Sequence, residues 1–151
     1  MKTRGFEIVT AYADKGIHLP TRKTGSSAGY DFAAAEDIVL EPHCVTLVPT
    51  GLKAYMGADE YLGLHVRSGF SIRHMVSCVN DEGVIDADYY DNAENEGHIF
   101  VPLINHGDIP VKISKGTRIA QGIFYRYLTV DGDTAGVGAM RYGGMGSTGE
   151  A

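Results

Sequence analysis

Four short segments of this 151-residue chain combine the residue types that phosphate chemistry needs. In Gly83-Val84-Ile85-Asp86-Ala87-Asp88-Tyr89 two apolar residues lead straight into an acid, and a second acid follows two positions on. Extended backbone puts both carboxylates on one face, and a carboxylate beside a cleft can orient and deprotonate a water. Gly83 leaves room for a ligand ring against the backbone. The same run equally suits a hairpin with acidic turn residues. Arg67-Ser68-Gly69 follows an apolar run and offers a guanidinium, a hydroxyl and a glycine amide, which suits phosphate oxygens or else a turn with a solvated arginine. Ala28-Gly29-Tyr30-Asp31 sets another acid beside a glycine, and alone it reads as a strand-starting turn. The tail Arg141-Tyr142-Gly143-Gly144-Met145-Gly146-Ser147-Thr148-Gly149 carries one cation, two aliphatic hydroxyls and four glycines. Its backbone amides can line a concave anion nest. It is not a Walker A loop, which needs Lys before the Ser or Thr.

The elements that must position these residues are short. Twenty glycines punctuate the chain, and the longest glycine-free run, Tyr30 to Thr50, contains Pro42 and Pro49. Glycine costs a helix interior about 1 kcal/mol and proline about 3, so a helix of three or more turns has few places to sit. Residues 6–9, 44–48, 61–66, 98–101 and 109–113 read as strands, and Ile119 to Leu128 favours strand over one turn of helix. Many short strands imply an all-β barrel, sandwich or jelly roll. Hydrophobic residues at 44% supply a core for one domain over residues 1–131. Residues 132–151, with seven glycines from Gly132 to Gly149, read either as a loose tail or as a flexible C-terminal arm that orders over a ligand. The tail's composition favours the arm.

A net charge of −6 argues against nucleic-acid binding. No apolar run approaches a transmembrane span, and Met1-Lys2-Thr3-Arg4 does not lead into a signal-type core. Cys44 and Cys78 form no zinc pattern or disulfide framework, which suits a reduced, cytoplasmic protein. The six histidines show no metal-ligand spacing.

Taken in order, these segments resemble the trimeric dUTPase (dUTP diphosphatase) family over nearly the whole chain. Five motifs carry the resemblance: Ala28-Gly29-Tyr30-Asp31, Arg67-Ser68-Gly69, Asn80 through Gly83 to Tyr89, Gly116-Thr117-Arg118-Ile119-Ala120-Gln121, and Arg141 to Gly149. The resemblance implies a jelly-roll-like distorted β-barrel. It implies a homotrimer with active sites at subunit interfaces, each closed by a C-terminal arm, and Mg²⁺-dependent hydrolysis of dUTP to dUMP and pyrophosphate. It implies Asp86 as the base for the water that attacks the α-phosphorus. Asn80 and the backbone of Gly83, Val84 and Ile85 would read the uracil edge, and Tyr89 would pack on the deoxyribose. Arg67, Ser68 and Gly69, with Gln121 nearby, would hold phosphates. Asp31 would act through waters of the Mg²⁺ shell. Arg141, Ser147 and Thr148 would bind the γ-phosphate end, with Met145 and Gly146 beside them in the arm.

Three departures stand out. Met145 sits where the family usually carries an aromatic residue over the uracil, and the spacing from Arg141 to Gly143-Gly144 is one residue short of the commonest form. After Tyr89 a stretch with three acids, Tyr90-Asp91-Asn92-Ala93-Glu94-Asn95-Glu96, precedes Gly97. It reads as a solvated turn or as a surface for a regulatory protein partner. Both features resemble the subgroup from Gram-positive bacteria and their phages. Phe70-Ser71-Ile72-Arg73-His74 is more polar than the usual continuation of the second motif, and Arg73 could add a cation near the phosphates. Two other readings compete: a regulatory protein that keeps the fold, and dCTP deaminase. The deaminase resemblance requires a glutamate on the strand after the third motif, and His98 to Asn105 contains no acid.

Overall fold

Glycine, proline and asparagine punctuation cuts the chain into eleven strands among the described residues. The computed structural model describes residues 1–134 together with Arg141, Gly143 and Gly144. The strands are β1 (Gly5–Ile8), β2 (Tyr30–Ala33), β3 (Ile38–Leu40), β4 (Val45–Pro49), β5 (Leu52–Tyr55), β6 (Glu60–Val66), β7 (Val76–Cys78), β8 (Gly83–Asp86), β9 (Phe100–Asn105), β10 (Val111–Ile113) and β11 (Arg118–Arg126). They pair antiparallel in four sheets, ordered β2-β11-β6-β8, β4-β9-β7, β1-β5 and β10-β3. Sequence neighbours rarely lie side by side in this order, and the result is a jelly-roll-like β fold. No described helix is long and apolar enough to cross a membrane. Cys44 is exposed, Cys78 is buried, and both are free thiols.

The core forms where the inward faces meet. Phe32, Leu62, Leu64 and Ile119 from the large sheet pack with Leu40, Val48, Leu52, Val101 and Leu103. Along β6, Leu62 and Leu64 are buried while Tyr61 and His65 stay half-exposed. Each buried Leu contributes about 1.5–3 kcal/mol, and a one-residue slip would turn that row outward. The register of β6 is therefore fixed, and with it the site residues at its two ends.

Two local expectations are corrected. The segment after β6 is a two-turn helix, α1 (Ser68–His74), rather than a simple turn. Phe70 anchors it in the core, and Met75, at φ 54°, ends it in the left-handed region. The expected strand at 98–101 begins only at Phe100. His98 and Ile99 instead bind the start of β5: Gly51 N–H donates to His98 Nε2 at 2.9 Å, and Ile99 N–H donates to the Leu52 carbonyl at 2.8 Å.

The segment Tyr90 to Glu96 is tied down rather than loosely solvated. Lys53, on β5 and nearly buried, reaches Asp91 at 2.5 Å and Glu96 at 2.9 Å. Thr10 donates to Glu96 from both its backbone N–H and its hydroxyl. Burial pulls the Lys53 ammonium down, but the hydrogen bonds to Asp91 and Glu96 outweigh it and hold the group above its ordinary range. Lys53→Met would leave Asp91, Glu96 and Glu7 facing one another without their shared cation. The expected cost is about 2 kcal/mol, below that of a fully buried pair because the acids are half-exposed. It should appear in thermal unfolding as a melting temperature several degrees lower, and an unchanged midpoint would show that the network adds no stability.

Candidate active site

The sheet register gathers three distant segments into one row. Gln121 on β11 stands opposite Asp31 on β2 and opposite His65 on β6. Cross-strand partners share a face, and Arg67 lies two residues beyond His65, so it is brought to the same side. The contacts bear this out. Asp31 forms an ion pair with Arg67 Nε at 3.1 Å and accepts a hydrogen bond from Arg118 Nη1 at 3.0 Å, and the Gln121 side chain lies against Gly29. Asp31, Arg67, Ser68, Gly69 and Gln121 line one cavity of about 200 Å³, together with Lys23, Ser27 and Gly29. The Arg67 guanidinium, the hydroxyls of Ser27 and Ser68, the glycine amides and Lys23 around one opening form a place for phosphate oxygens. The sequence alone does not mark Arg118 or Lys23 as site residues. Arg118 belongs to the fourth motif, and its value lies in holding Asp31.

A second group forms at the other end of β6. Asp86 closes β8 and sits opposite Tyr61. Among the described residues β8 is an edge strand, so the outer backbone groups of Gly83 to Ile85 lack a strand partner. Asn80 lies exposed in the turn before β8, and Val84 is exposed. Tyr89 is buried in the 3-10 turn Ala87–Tyr89, and burial pushes its hydroxyl up. Val84, Ile85, Asp86, Tyr89, Phe100, Arg141 and Gly144 line a small cavity of about 60 Å³.

The paired acids meet differently from the extended-strand expectation. The 3-10 turn takes Asp88 out of β8, yet both carboxylates converge on the arm: Arg141 Nη2 donates to Asp86 at 2.6 Å and its Nε to Asp88 at 2.7 Å. Gly144 lies so close to the Tyr89 ring that a Cβ there would overlap it, and Gly143 sits against Glu94. Arg141 thus bridges the two acids. Met145, Gly146, Ser147 and Thr148 lie outside the described residues. Arg73 does not join the phosphate cavity. It lines a separate groove with His74, Met75, Asn105 and Lys112.

Asp86 lies far from the phosphate cavity within one chain. Six residues separate Tyr61, opposite Asp86, from Arg67, which at about 3.3 Å per residue is roughly 20 Å of strand. A larger cavity of about 480 Å³ borders Asp31 on another side, behind Ile17, Leu19, Thr50 and Leu52. It does not include Asp86, so its size alone does not make it the reaction site. No three His, Cys, Asp or Glu side chains gather to hold a metal ion among the described residues. Mg²⁺ carried by substrate phosphates keeps several waters and needs few protein ligands. Asp31, beside Arg67 and Ser68, fits as an acid in its outer shell.

Comparisons with known proteins place the chain in a family. The dUTPase family model matches residues 15–149. The chain belongs to the dUTPase family. This dUTPase-family chain is 48% identical over 149 residues to the deoxyuridine 5'-triphosphate nucleotidohydrolase of Lactococcus lactis, covering 99% of each. It is 42% identical to that of Brucella melitensis over 114 residues, covering 73% of this chain and 69% of the relative. The crystal structure of dUTPase from Streptococcus mutans superposes with a TM-score of 0.81 at 44% identity, covering 85% of this chain and 99% of that one. The likeness to Gram-positive members noted in the arm and the extra loop thus extends across the chain.

Proposed function

We propose that this chain hydrolyses dUTP to dUMP and pyrophosphate, in sites completed between the subunits of a homotrimer. The observation that carries the shared site is the separation of Asp86 from Arg67, Ser68 and Gly69 along β6. Reacting groups must lie about 3–3.5 Å apart, so a base and a phosphate clamp roughly 20 Å apart on one strand serve the same phosphate only if different subunits supply them. The matched relatives are named for dUTP hydrolysis, which supports the substrate. The supply of dUMP for dTMP synthesis and the limiting of uracil in DNA follow from that product and substrate.

In this reading the outer edge of β8, with Asn80, reads the uracil, and Tyr89 packs on the deoxyribose. Asp86 takes the proton of a water as its oxygen attacks the α-phosphorus. The bond from that phosphorus to the bridging oxygen breaks, and pyrophosphate leaves. Arg67, Ser68, Gly69 and Gln121 hold the phosphates, and Asp31 keeps Arg67 and Arg118 aligned and would help to hold Mg²⁺ through water. That ion supplies charge neutralisation on the triphosphate, which a protein of net charge −6 does not recruit by its overall field. Residues 132–151 form the arm. When a triphosphate is present, Arg141 exchanges Asp86 and Asp88 for γ-phosphate oxygens, and Ser147 and Thr148 join it. Asp86 is thereby freed to accept a proton. Met145 and Gly146 then lie over the base, and the thioether packs on the ring at about 0.3–1.5 kcal/mol.

The regulatory-partner reading has less to stand on, because all three acids of the extra loop already face neighbours in the chain: Lys53, Thr10 and Gly143. Pyrophosphate release from dUTP, dCTP, dTTP and UTP, with Mg²⁺ and with chelator, tests the proposal. Strong selectivity for dUTP, lost on chelation, is expected. Equal turnover of dCTP, or none of any nucleotide, would overturn it.

A further inference from the structure

The loop after Tyr89 does more than fill surface. Its hydrogen bonds run back to the tyrosine at both ends of the residue. The Tyr89 hydroxyl donates to the His98 carbonyl at 2.6 Å and accepts from Asn95 Nδ2 at 2.8 Å. The Tyr89 carbonyl accepts from Asn92 Nδ2 at 2.8 Å. Asn95 cannot turn its amide over without loss, because its Oδ1 accepts from Gly97 N–H at 3.0 Å and from Asn92 Nδ2 at 2.8 Å. Asn92 in turn holds the backbone N–H groups of Glu94 and Asn95 through its Oδ1. Gly97, at φ 83°, closes the loop so tightly on the Tyr89 carbonyl that a side chain there would overlap it. The Lys53 network then pins both ends of the loop to the barrel.

Every polar group in this chain of amides is satisfied, so the ring has one position rather than several. We infer that Asn95 is a positioning residue that fixes the Tyr89 ring against the sugar, and so sets the preference for deoxyribonucleotides over ribonucleotides. The inference rests on the reading of Tyr89 as the residue that packs on the deoxyribose. A ring held at its hydroxyl cannot tilt away to admit a 2′-hydroxyl. A ring released at that end can, and then only the discrimination suffers.

The test is the ratio of kcat/KM for dUTP to kcat/KM for UTP in Asn95→Ala, Tyr89→Phe and Tyr89→Ala. Asn95→Ala removes one of the two hydrogen bonds at the Tyr89 hydroxyl and should lower the ratio by about tenfold, the effect of one buried hydrogen bond, while Tyr89→Phe also removes the bond to the His98 carbonyl and should lower it at least as much. Tyr89→Ala should lower it further. A variant that only unfolds in part loses both substrates equally and leaves the ratio unchanged, so folding loss does not imitate the effect. An unchanged ratio in Asn95→Ala and Tyr89→Phe, with a lowered one in Tyr89→Ala, overturns the role of Asn95 and leaves that of Tyr89 standing. An unchanged ratio in Tyr89→Ala overturns both.

Discussion

Asp86→Asn should reduce the rate of dUTP hydrolysis by about 10²–10⁴-fold, the usual contribution of a positioned base. The side chain keeps its shape and can still accept a hydrogen bond, but it can no longer take up the water's proton. Binding should change little, because Asp86 is half-exposed at the end of β8 and the proposed base and phosphate contacts would come from other residues. The neighbouring acid gives the control. Asp88 is more exposed than Asp86 and its contact in the structure is with Arg141. Asp88→Asn should therefore keep hydrolysis within about tenfold of the parent, having lost a charge-assisted hydrogen bond to the arm rather than the base. Pyrophosphate release measures turnover, and calorimetric titration with a non-hydrolysable dUTP analogue measures binding. A loss below tenfold in Asp86→Asn, or a larger loss in Asp88→Asn, would move the base to Asp88.

The β class and the motifs are legible in the sequence while the meeting of the motif residues is not, and particular residues show why. Asp31, Arg67 and Gln121 are far apart in the chain, and no spacing rule joins them. Their motifs were recognised by order, while their meeting depends on the register of β11 between β2 and β6. Register follows from which residues can be buried across strands, and a single chain read in order does not display that pairing. Ser68 and Gly69 looked like a turn because glycine and serine favour turns. Phe70, buried four residues beyond the end of β6, overrides that preference and draws the segment into α1. The extra loop looked like solvated surface because it is acidic. Its partner, Lys53, lies on β5, 38 positions before Asp91. Such long-range ion pairs leave no local pattern. Arg141 is the reverse case. Its charge was legible, but its pairing with both Asp86 and Asp88 required the 3-10 turn that brings Asp88 round.

Mixing two inactive variants should restore activity. Asp86→Asn lacks the base and Arg67→Ala lacks the phosphate clamp, so each alone should be nearly inactive. In the proposed ring of three identical subunits every interface would join one subunit's β8 end to the next subunit's phosphate cavity. Random assembly from equal amounts places an intact Asp86 against an intact Arg67 at about one interface in four. A mixture refolded together, or co-expressed, should therefore recover about a quarter of parental activity, while the same proteins combined without subunit exchange should not. The size of the effect rests on geometry alone. Arg67 also pairs with Asp31, so its loss disturbs the Arg118 contact in its own subunit, but that damage stays at the cavity that already lacks its clamp. If Asp86 and Arg67 served the same phosphate within one chain, no mixture could contain a complete site except by containing an intact subunit, and none is present. Failure to recover activity, with exchange verified by mass, would place the whole reaction within a single subunit and require the roughly 20 Å between the two groups to be closed by movement of β8 itself.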